Sequence, residues 1–278
     1  FFDRVRSAIA GEKPVLKPFK PRKHQKKAIA KAVKHFKGNN HTRGKLIFPC
    51  GAGKSLTGYW IAEALKSRRT LIAVPSLSLV KQTIGVYLRE CAATGRKVKW
   101  LCVCSDEGIG KGGDVVMYHN DLGIPCETNI GVISQWLQDN ADEDIMVFTT
   151  YQSGRVIAEA AKANSVKFDL GLFDEAHKTV GAQGKLFSHL LFDENVDVER
   201  RVFMTATERF YAGSKEEIVS MDDGDVYGET FVQMTFKEAI EQDLLTDYKV
   251  ITIEVQESEV ADFIRDNNLI ELNAKWGT

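Results

Sequence analysis

Residues 48–55 read Phe-Pro-Cys-Gly-Ala-Gly-Lys-Ser, and this stretch decides the fold that we expect for the chain. The apolar run before it is typical of a strand, and the residues after it have helical spacing. Between a strand and a helix, glycines let backbone N–H groups turn inward around phosphate oxygens. The lysine supplies a charge for the β- and γ-phosphates, and the serine hydroxyl is a ligand for Mg²⁺. The stretch therefore predicts a phosphate-binding loop rather than a merely flexible turn, formed by Gly51, Ala52, Gly53, Lys54 and Ser55.

A second motif, Asp-Glu-Ala-His at residues 174–177, follows Lys54 by 120 positions and ends an apolar strand-like run. Nucleotide hydrolysis needs a polyphosphate cradle and a carboxylate-held metal in one pocket. We therefore expect an ATPase in which Asp174 holds Mg²⁺ and Glu175 polarises the attacking water. Because His177 lies beside that glutamate, its position favours sensing of the γ-phosphate over the role of a plain helix-start residue.

Strand-like and helical segments alternate along the chain, which predicts a doubly wound parallel α/β sheet with helices on both faces. The predicted strands are residues 45–50, 70–74, 98–104, 145–149, 168–173, 201–205 and 249–255. The predicted helices are residues 22–37, 55–66, about 76–91, 130–138, 153–163 and 236–242, and residues 105–144 are otherwise irregular. Ligands of such sheets bind beyond the carboxyl ends of the strands. Polar segments follow four of the predicted strands, at residues 51–55, 149–152, 174–177 and 205–207.

The composition is that of a globular protein, with 44% hydrophobic and 27% charged residues, so disorder is not the expectation. A chain of 278 residues can bury one large α/β core, alone or with small appendages. The sequence has no apolar run of the roughly 20 residues that a membrane span needs and no signal segment. We therefore expect a cytoplasmic protein with no membrane partner.

Positive charge is concentrated at the start of the chain. Residues 1–45 carry a net charge of +12, and the remainder carries −13. This asymmetry indicates either a basic surface for a polyanion or the solvated face of an amphipathic helix at residues 22–37. The sequence leaves both interpretations open.

The five cysteines are Cys50, Cys91, Cys102, Cys104 and Cys126. Their number is odd, and no pair has the C-x-x-C spacing of common zinc and redox sites. The spacing therefore predicts reduced, mostly buried thiols rather than a zinc site or a disulfide framework.

The series of motifs resembles the ordered motifs of superfamily 2 helicases and translocases, specifically the DEAH-box branch. That resemblance implies a RecA-like P-loop NTPase motor domain that uses ATP and Mg²⁺. Phe48 fits the superfamily, which usually has an apolar residue there, whereas Pro49 and Cys50 replace the commoner Ala-Thr. The matching segments are Arg22-x-x-Gln25 for the adenine-reading Q motif, 51–55 for motif I, 75–83 for motif Ia, 149–152 for a DNA-contacting motif, 174–177 for motif II and 205–207 for motif III.

The same resemblance implies roles for further residues. It implies that Arg22 and Gln25 read adenine. It also implies that His177, Thr205 and Thr207 couple the nucleotide state to movement. The residues implied to contact the nucleic-acid backbone are Ser76, Lys81, Thr150 and Tyr151.

Three shorter strings, at residues 149–153, 220–228 and 244–250, are similar to the helicases of bacterial restriction and phage-defence systems, notably single-chain type ISP restriction enzymes. This similarity implies double-stranded DNA as the partner, together with nuclease and methyltransferase modules. The alternatives are an RNA or DNA-repair helicase, and a nucleotide-dependent nucleic-acid-binding module that does not translocate.

The resemblance also predicts how the chain is divided. We expect a basic N-terminal segment with the Q-motif helix at residues 1–44 and the RecA-like motor domain at 45–255. Residues 256–278 are then a tail or linker towards a second RecA-like domain in the same chain. Arginines of that second domain are implied to reach the γ-phosphate.

Overall fold

The computed structural model describes residues 16–104, 123–182, 186–211 and 218–247. The chain divides into two compact units, Phe1–Leu245 and Thr246–Thr278, and the first unit contains all of the secondary structure described here. The predicted strand at 249–255 and the predicted tail at 256–278 lie outside the described residues, as do residues 105–122 of the predicted irregular stretch.

The described residues form nine strands. They are β1 (Arg43–Ile47), β2 (Arg69–Val74), β3 (Lys99–Val103), β4 (Ile145–Thr150), β5 (Leu170–Asp174), β6 (Gly181–Ala182), β7 (Arg201–Thr205), β8 (Ile218–Val219) and β9 (Glu229–Gln233). Seven of them form one sheet in the order β3-β4-β2-β5-β7-β1-β9, and every neighbouring pair is parallel. The two short strands β6 and β8 pair antiparallel outside it.

The helices lie on both faces of this sheet. They are α1 (Lys23–Val33), α2 (Lys54–Leu65), α3 (Leu77–Thr94), α4 (Ile130–Asp139), α5 (Gly154–Ala163), α6 (Gly224–Tyr227) and α7 (Phe236–Glu241). A π-helical turn, Lys34–Gly38, continues α1, and 3-10 turns occupy Ala176–Thr179 and Leu186–Leu191. No helix among the described residues is both long and apolar enough to cross a membrane.

Two hydrophobic clusters cover the two faces of the sheet. Side chains of α1, α2 and α3 pack in one cluster, and those of α4 and α5 pack in the other. Successive residues of β2 show the alternation, because Ile72 and Val74 belong to the first cluster and Leu71 and Ala73 to the second. A parallel strand that is covered on both sides is apolar at every position. The predicted doubly wound sheet with helices on both faces is therefore confirmed.

The strand order brings three chain segments together at one edge of the sheet. β7 lies between β5 and β1, so the carboxyl ends of these three strands are neighbours. In the register, Ile47 is opposite Thr205, and Asp174 is opposite Met204. The phosphate loop follows β1, the acidic tetrad begins at the end of β5, and the Thr-Ala-Thr segment begins at the end of β7. Segments far apart in the sequence therefore meet at one place.

Strand β9 was not predicted from the sequence, which indicated a polar stretch up to about residue 230. Its sequence, Glu-Thr-Phe-Val-Gln, has only two buried residues, Phe231 and Val232. β9 pairs with β1 at the edge of the sheet. Because β9 has only this one neighbouring strand and is partly exposed to solvent, its sequence shows a weaker apolar pattern. The predicted strand at 45–50 also differs, since β1 begins at Arg43 and ends at Ile47, two residues before Pro49.

None of the five cysteines is paired in a disulfide in this structure. Cys91, Cys102 and Cys104 are buried, whereas Cys50 is exposed and Cys126 is half-buried. Contacts with the neighbouring thiols of Cys104 and Cys126, together with burial, raise the pKa of Cys102.

The turn into β9 provides a test of the fold. Gly228 has a φ of +69°, and a Cβ built there would lie 2.3 Å from the carbonyl oxygen of Arg43. Gly228→Ala should lower the free energy of unfolding by more than about 1 kcal/mol, because backbone strain and the steric clash add. Gly224→Ala is the matched control, since a Cβ there would meet no atom within 4 Å beyond its own chain neighbours and helix backbone. Urea unfolding measures both, and equal stabilities of the two variants would contradict this conformation of the turn.

Candidate nucleotide and magnesium site

The phosphate loop has the backbone that its sequence predicts. Gly51 and Gly53 both have a φ of +83°, the left-handed region that favours glycine. A Cβ at Gly53 would lie only 2.7 Å from the Gln25 Nε2. Helix α2 begins immediately after Gly53, so the unpaired N–H groups of its first turn lie at the loop. This arrangement has the geometry of the anion-binding sites that helix N-termini form.

The start of α1 holds the phosphate loop from one side. Gln25 is buried, its Nε2 donates to the carbonyl oxygen of Gly53 at 3.3 Å, and its Oε1 accepts from the backbone N–H of Arg22 at 2.9 Å. The neighbouring His24 Nε2 lies 3.0 Å from the carbonyl oxygen of Ala52. The sequence predicted a role for Gln25 but not for His24, which occupies an unspecified position of the Arg22-x-x-Gln25 motif. Two adjacent side chains thus hold two of the carbonyl groups of the loop.

Lys54 lies between the loop and the acidic tetrad. Its side chain is only 7% exposed. The Nζ atom lies 3.4 Å from the carbonyl oxygen of Phe48 and 3.4 Å from Glu175 Oε1. The ammonium group is therefore surrounded by loop backbone and a carboxylate, which is where a polyphosphate chain in this loop would pass.

The two predicted magnesium ligands are in direct contact. The Ser55 hydroxyl donates to Asp174 Oδ2 at 3.2 Å. Asp174 Oδ1 accepts from the backbone N–H of Glu175 at 3.0 Å, which fixes the carboxylate. A hydroxyl and a carboxylate oxygen are the hard donors that Mg²⁺ takes from a protein, with waters and phosphate oxygens completing its shell. This donor set fits Mg²⁺ with a nucleotide.

Asp174 is 6% exposed, and the environment of its carboxyl group disfavours the charged form. Burial and then the negative charge of Glu175 raise its pKa, and the attraction of Lys54 and two hydrogen bonds only partly oppose this. A cation bound at Asp174 would offset the same penalty. The electrostatics of the site therefore favour cation binding at the Ser55–Asp174 pair.

Glu175 has an unusual backbone conformation, with a φ of 49° and a ψ of 45°. The left-handed region costs a non-glycine residue about 1–2 kcal/mol, and such strain is concentrated at functional sites. The carboxylate lies between two groups, with Oε1 3.4 Å from Lys54 Nζ and Oε2 3.4 Å from His177 Nδ1. The strained turn thus places this carboxylate at the centre of the cluster.

His177 connects the acidic tetrad to the end of β7. Its Nδ1 lies 3.0 Å from Thr205 Oγ1, and the Thr205 hydroxyl donates to the carbonyl oxygen of Thr207 at 2.7 Å. Because the hydroxyl already donates, the network assigns the proton to His177 Nδ1. Burial lowers the pKa of His177 despite the attraction of Glu175. The imidazole of His177 is therefore neutral. It contacts Thr205, which in turn holds Thr207, so the three predicted coupling residues are connected.

The predicted nucleic-acid contacts are not all at the surface. Ser76 is half-buried at the start of α3, and Lys81 is exposed one turn further along that helix. Thr150 is 5% exposed, and its hydroxyl donates to Ser153 Oγ at 3.1 Å. Tyr151 is completely buried, and its hydroxyl donates to the carbonyl oxygen of Asp174 at 2.6 Å. The prediction that the Tyr151 side chain contacts nucleic acid is wrong, because this side chain braces the acidic tetrad from inside the protein.

Comparison with known proteins places this site in a family. The family model described as "Type III restriction enzyme, res subunit" matches residues 18–210. Among solved structures, the chain is similar to the ATP-dependent type ISP restriction-modification enzyme LlaBIII bound to DNA, with 32% identity and a TM-score of 0.69 over 84% of this chain. It is also similar to a nuclease-deletion mutant of the type ISP enzyme LlaGI in complex with a DNA substrate mimic, with 32% identity and a TM-score of 0.62 over 81% of this chain.

A viral protein is also similar. "Probable helicase A859L" of African swine fever virus (isolate Tick/Malawi/Lil 20-1/1983) is 27% identical over 215 residues, which are 75% of this chain. The chain spans 21% of that viral protein, 16% of LlaBIII and 21% of LlaGI. The predicted resemblance to superfamily 2 motors, and specifically to those of type ISP restriction enzymes, is confirmed.

The raised pKa of Asp174 has a consequence for stability. The folded state holds a proton on this carboxyl more tightly than the unfolded state does, so ionisation above the raised pKa destabilises the fold. Without Mg²⁺ at neutral pH, Asp174→Asn should therefore raise the free energy of unfolding. This gain should shrink as the pH falls from the raised pKa and vanish below the ordinary value of 3.8.

Urea unfolding at a series of pH values measures the effect. Asp142→Asn is the control, because Asp142 is exposed and its substitution should change stability little at any pH. A destabilised Asp174→Asn variant at neutral pH would contradict this description of the carboxyl group.

Proposed function

The chain belongs to the family of type III restriction enzyme res subunits, and on that premise we propose that it is an ATP-driven DNA translocase motor in a restriction or phage-defence enzyme. The observation that carries the proposal is the cluster in which Lys54, the Ser55–Asp174 pair and Glu175 lie within hydrogen-bond or ion-pair distance of one another. Phosphate binding, metal binding and water activation need these groups in one pocket. The similarity to two type ISP enzymes solved with DNA or a DNA mimic supports DNA as the partner.

In this proposal each group of the cluster has one task. The backbone N–H groups of residues 51–55 and the Lys54 ammonium bind the β- and γ-phosphates. Ser55 and Asp174 hold Mg²⁺, which supplies positive charge to the phosphate oxygens and the leaving group. Glu175 orients the attacking water and accepts its proton. The contact of this carboxylate with Lys54 must loosen when phosphate oxygens become the lysine's partners.

The hydrogen-bonded chain through His177, Thr205 and Thr207 is the proposed coupling element. His177 contacts both Glu175 and Thr205, so a shift of the glutamate on nucleotide binding is passed to the loop after β7. Thr205 holds the Thr207 carbonyl and also accepts from the Thr207 N–H at 3.3 Å. That short loop is the segment that we propose moves with the nucleotide state.

Ser76 and Lys81 remain the proposed contacts to the DNA backbone. Thr150 contributes indirectly, because its hydroxyl bonds to Ser153 and so positions the loop after β4. Phosphate contacts of this kind fix a protein on DNA without reading its sequence. In the whole protein we propose a second RecA-like domain that completes the motor, with nuclease and methyltransferase modules attached. The similarity to a viral helicase keeps strand separation as the second candidate function.

Separate roles for lysine and glutamate can be tested directly. Lys54→Ala should abolish nucleotide binding, because the positive charge of the Lys54 ammonium beside the β- and γ-phosphates is lost. Glu175→Gln should keep Mg·ATP binding but lower the turnover by about 10²–10⁴-fold, because an amide cannot act as a general base. Isothermal titration calorimetry and a phosphate-release assay measure the two quantities. Equal loss of nucleotide affinity in both variants would refute the division of roles.

The adenine role of Arg22 and Gln25 is a further proposal. Gln25→Ala loses its contact with Gly53, which should lower the affinity for ATP and GTP by the same factor. Loss of a base-edge hydrogen bond should in addition remove most of the preference for ATP over GTP. His24→Ala is the matched control, since it loses only the loop contact and should leave the preference unchanged. An unchanged ATP/GTP ratio in Gln25→Ala would rule out the adenine role.

The motor function itself is tested by ATP turnover with different nucleic acids. We expect duplex DNA to stimulate the ATPase of the full-length protein more than single-stranded DNA or RNA does. Thr205→Val should retain Mg·ATP binding and lose most of the stimulation, because the link between His177 and the loop after β7 is broken. Stronger stimulation by RNA would favour an RNA helicase, and stimulation by no nucleic acid would contradict the proposed function.

A further inference from the structure

Three cysteine sulfurs meet at the carboxyl end of the edge strand β3. Strands β4 and β2 lie between β3 and β5, the strand that carries the acidic tetrad. Cys102 Sγ lies 3.6 Å from Cys104 Sγ and 3.3 Å from Cys126 Sγ. All three sulfur atoms lie within 4.8 Å of one another. Cys102 and Cys104 are buried, and Cys126 is half-buried, so the thiol cluster can be reached from solvent on one side.

The chain brings these cysteines together by strand geometry. Residues two apart on a strand point to the same face, which places Cys102 and Cys104 side by side. The third sulfur comes from the returning chain, because Val103 and Glu127 form a parallel bridge and the Glu127 N–H donates to the carbonyl oxygen of Cys102 at 2.9 Å. The thiol cluster is thus part of a tertiary pairing that no local sequence spacing reveals.

Two of the three sulfur separations are close to those of a tetrahedral zinc site. Thiolates about 2.3 Å from a tetrahedral zinc ion lie about 3.8 Å from one another, whereas bonded disulfide sulfurs are about 2.05 Å apart. The separations of 3.3 and 3.6 Å are close to the zinc value and far from the disulfide value. Soft thiolate ligands favour zinc over the hard cation Mg²⁺.

A second group of metal-ligand residues fits a cation less well. His35, His41 and Glu229 also bring ligand atoms close together. The two imidazole rings are stacked, however, with centroids 4.3 Å apart and planes 16° apart. Lone pairs in two parallel ring planes do not converge on one ion. His35 Nε2 is moreover engaged with the carbonyl oxygen of Arg43 at 2.8 Å.

We propose that Cys102, Cys104 and Cys126 bind one zinc ion, with water or a small thiol as the fourth ligand. The ion ties the returning segment 124–127 to the end of β3. That segment leads directly into α4, which begins with Asn129 as its N-cap. Bound there, zinc would stabilise the edge of the sheet independently of the nucleotide site.

Zinc binding is measured on the full chain, reduced and stripped with a chelator. We expect about one zinc ion per chain by mass spectrometry of the metal, and with cobalt a thiolate-to-cobalt charge-transfer band in the near ultraviolet. Loss of an outer-shell partner weakens metal binding by about 10–100-fold. Cys126→Ser removes a direct ligand and should therefore weaken zinc binding by more than that. Cys91→Ser is the matched control, a buried thiol outside the cluster that contacts Tyr59, and it should bind zinc like the unaltered chain. Zinc should raise the melting temperature of the unaltered chain and of Cys91→Ser, but not that of Cys126→Ser.

Each other outcome overturns the proposal. Zinc bound equally by Cys126→Ser would place the ion elsewhere, with the histidine group as the next site to test. A Cys102–Cys126 disulfide in the chain purified without reductant, together with no zinc binding after reduction, would make the cluster a redox pair. If Cys126→Ser does not fold, the cobalt spectrum of the unaltered chain decides alone, and the absence of a charge-transfer band then excludes thiolate ligation.

Discussion

The parallel pairing of β5, β7 and β1 is the constraint on which the site depends. Parallel strands place all their carboxyl ends at one edge, and this order makes the ends of three particular strands neighbours. The hydrogen bond between Ser55 and Asp174 is the direct result, since it joins residues 119 positions apart. Neither the loop nor the tetrad alone could hold a metal ion beside a polyphosphate. The fold supplies the site by bringing them together.

That arrangement has an electrostatic cost. Two adjacent carboxylates lie at a largely buried position, and the nearby lysine ammonium only partly compensates them. The left-handed backbone at Glu175 adds local strain. Stability is therefore lower than an apolar packing of the same position would give, and a bound cation would offset part of this cost. Two side chains keep the charged groups in place. Buried Tyr151 donates to the Asp174 carbonyl oxygen, and His177 connects the tetrad to Thr205.

Much of the site was predictable because its motifs are local. Residues 51–55 show their strand, loop and helix in adjacent positions, and the tetrad at 174–177 directly follows an apolar run. Contacts that depend on tertiary packing were not predictable. His24 holds the loop through a single carbonyl contact, and β9 has too few buried residues to produce a strand pattern. Tyr151 lies next to surface-type residues in the sequence, and only the packing of its ring beside Phe173 shows that it is internal. The proximity of Cys126 to β3 likewise follows from a bridge between distant residues.

Ser55 and Asp174 are proposed to hold the same magnesium ion. Calorimetric titration of Mg·ATP into the unaltered protein, Ser55→Ala, Asp174→Asn and the double variant tests it most directly. If both side chains hold one magnesium ion, the two losses of binding free energy should not add, with a coupling of about 0.5–3 kcal/mol between them. Losses that add within about 0.3–0.5 kcal/mol would show that the two residues act independently, and would contradict a shared magnesium site.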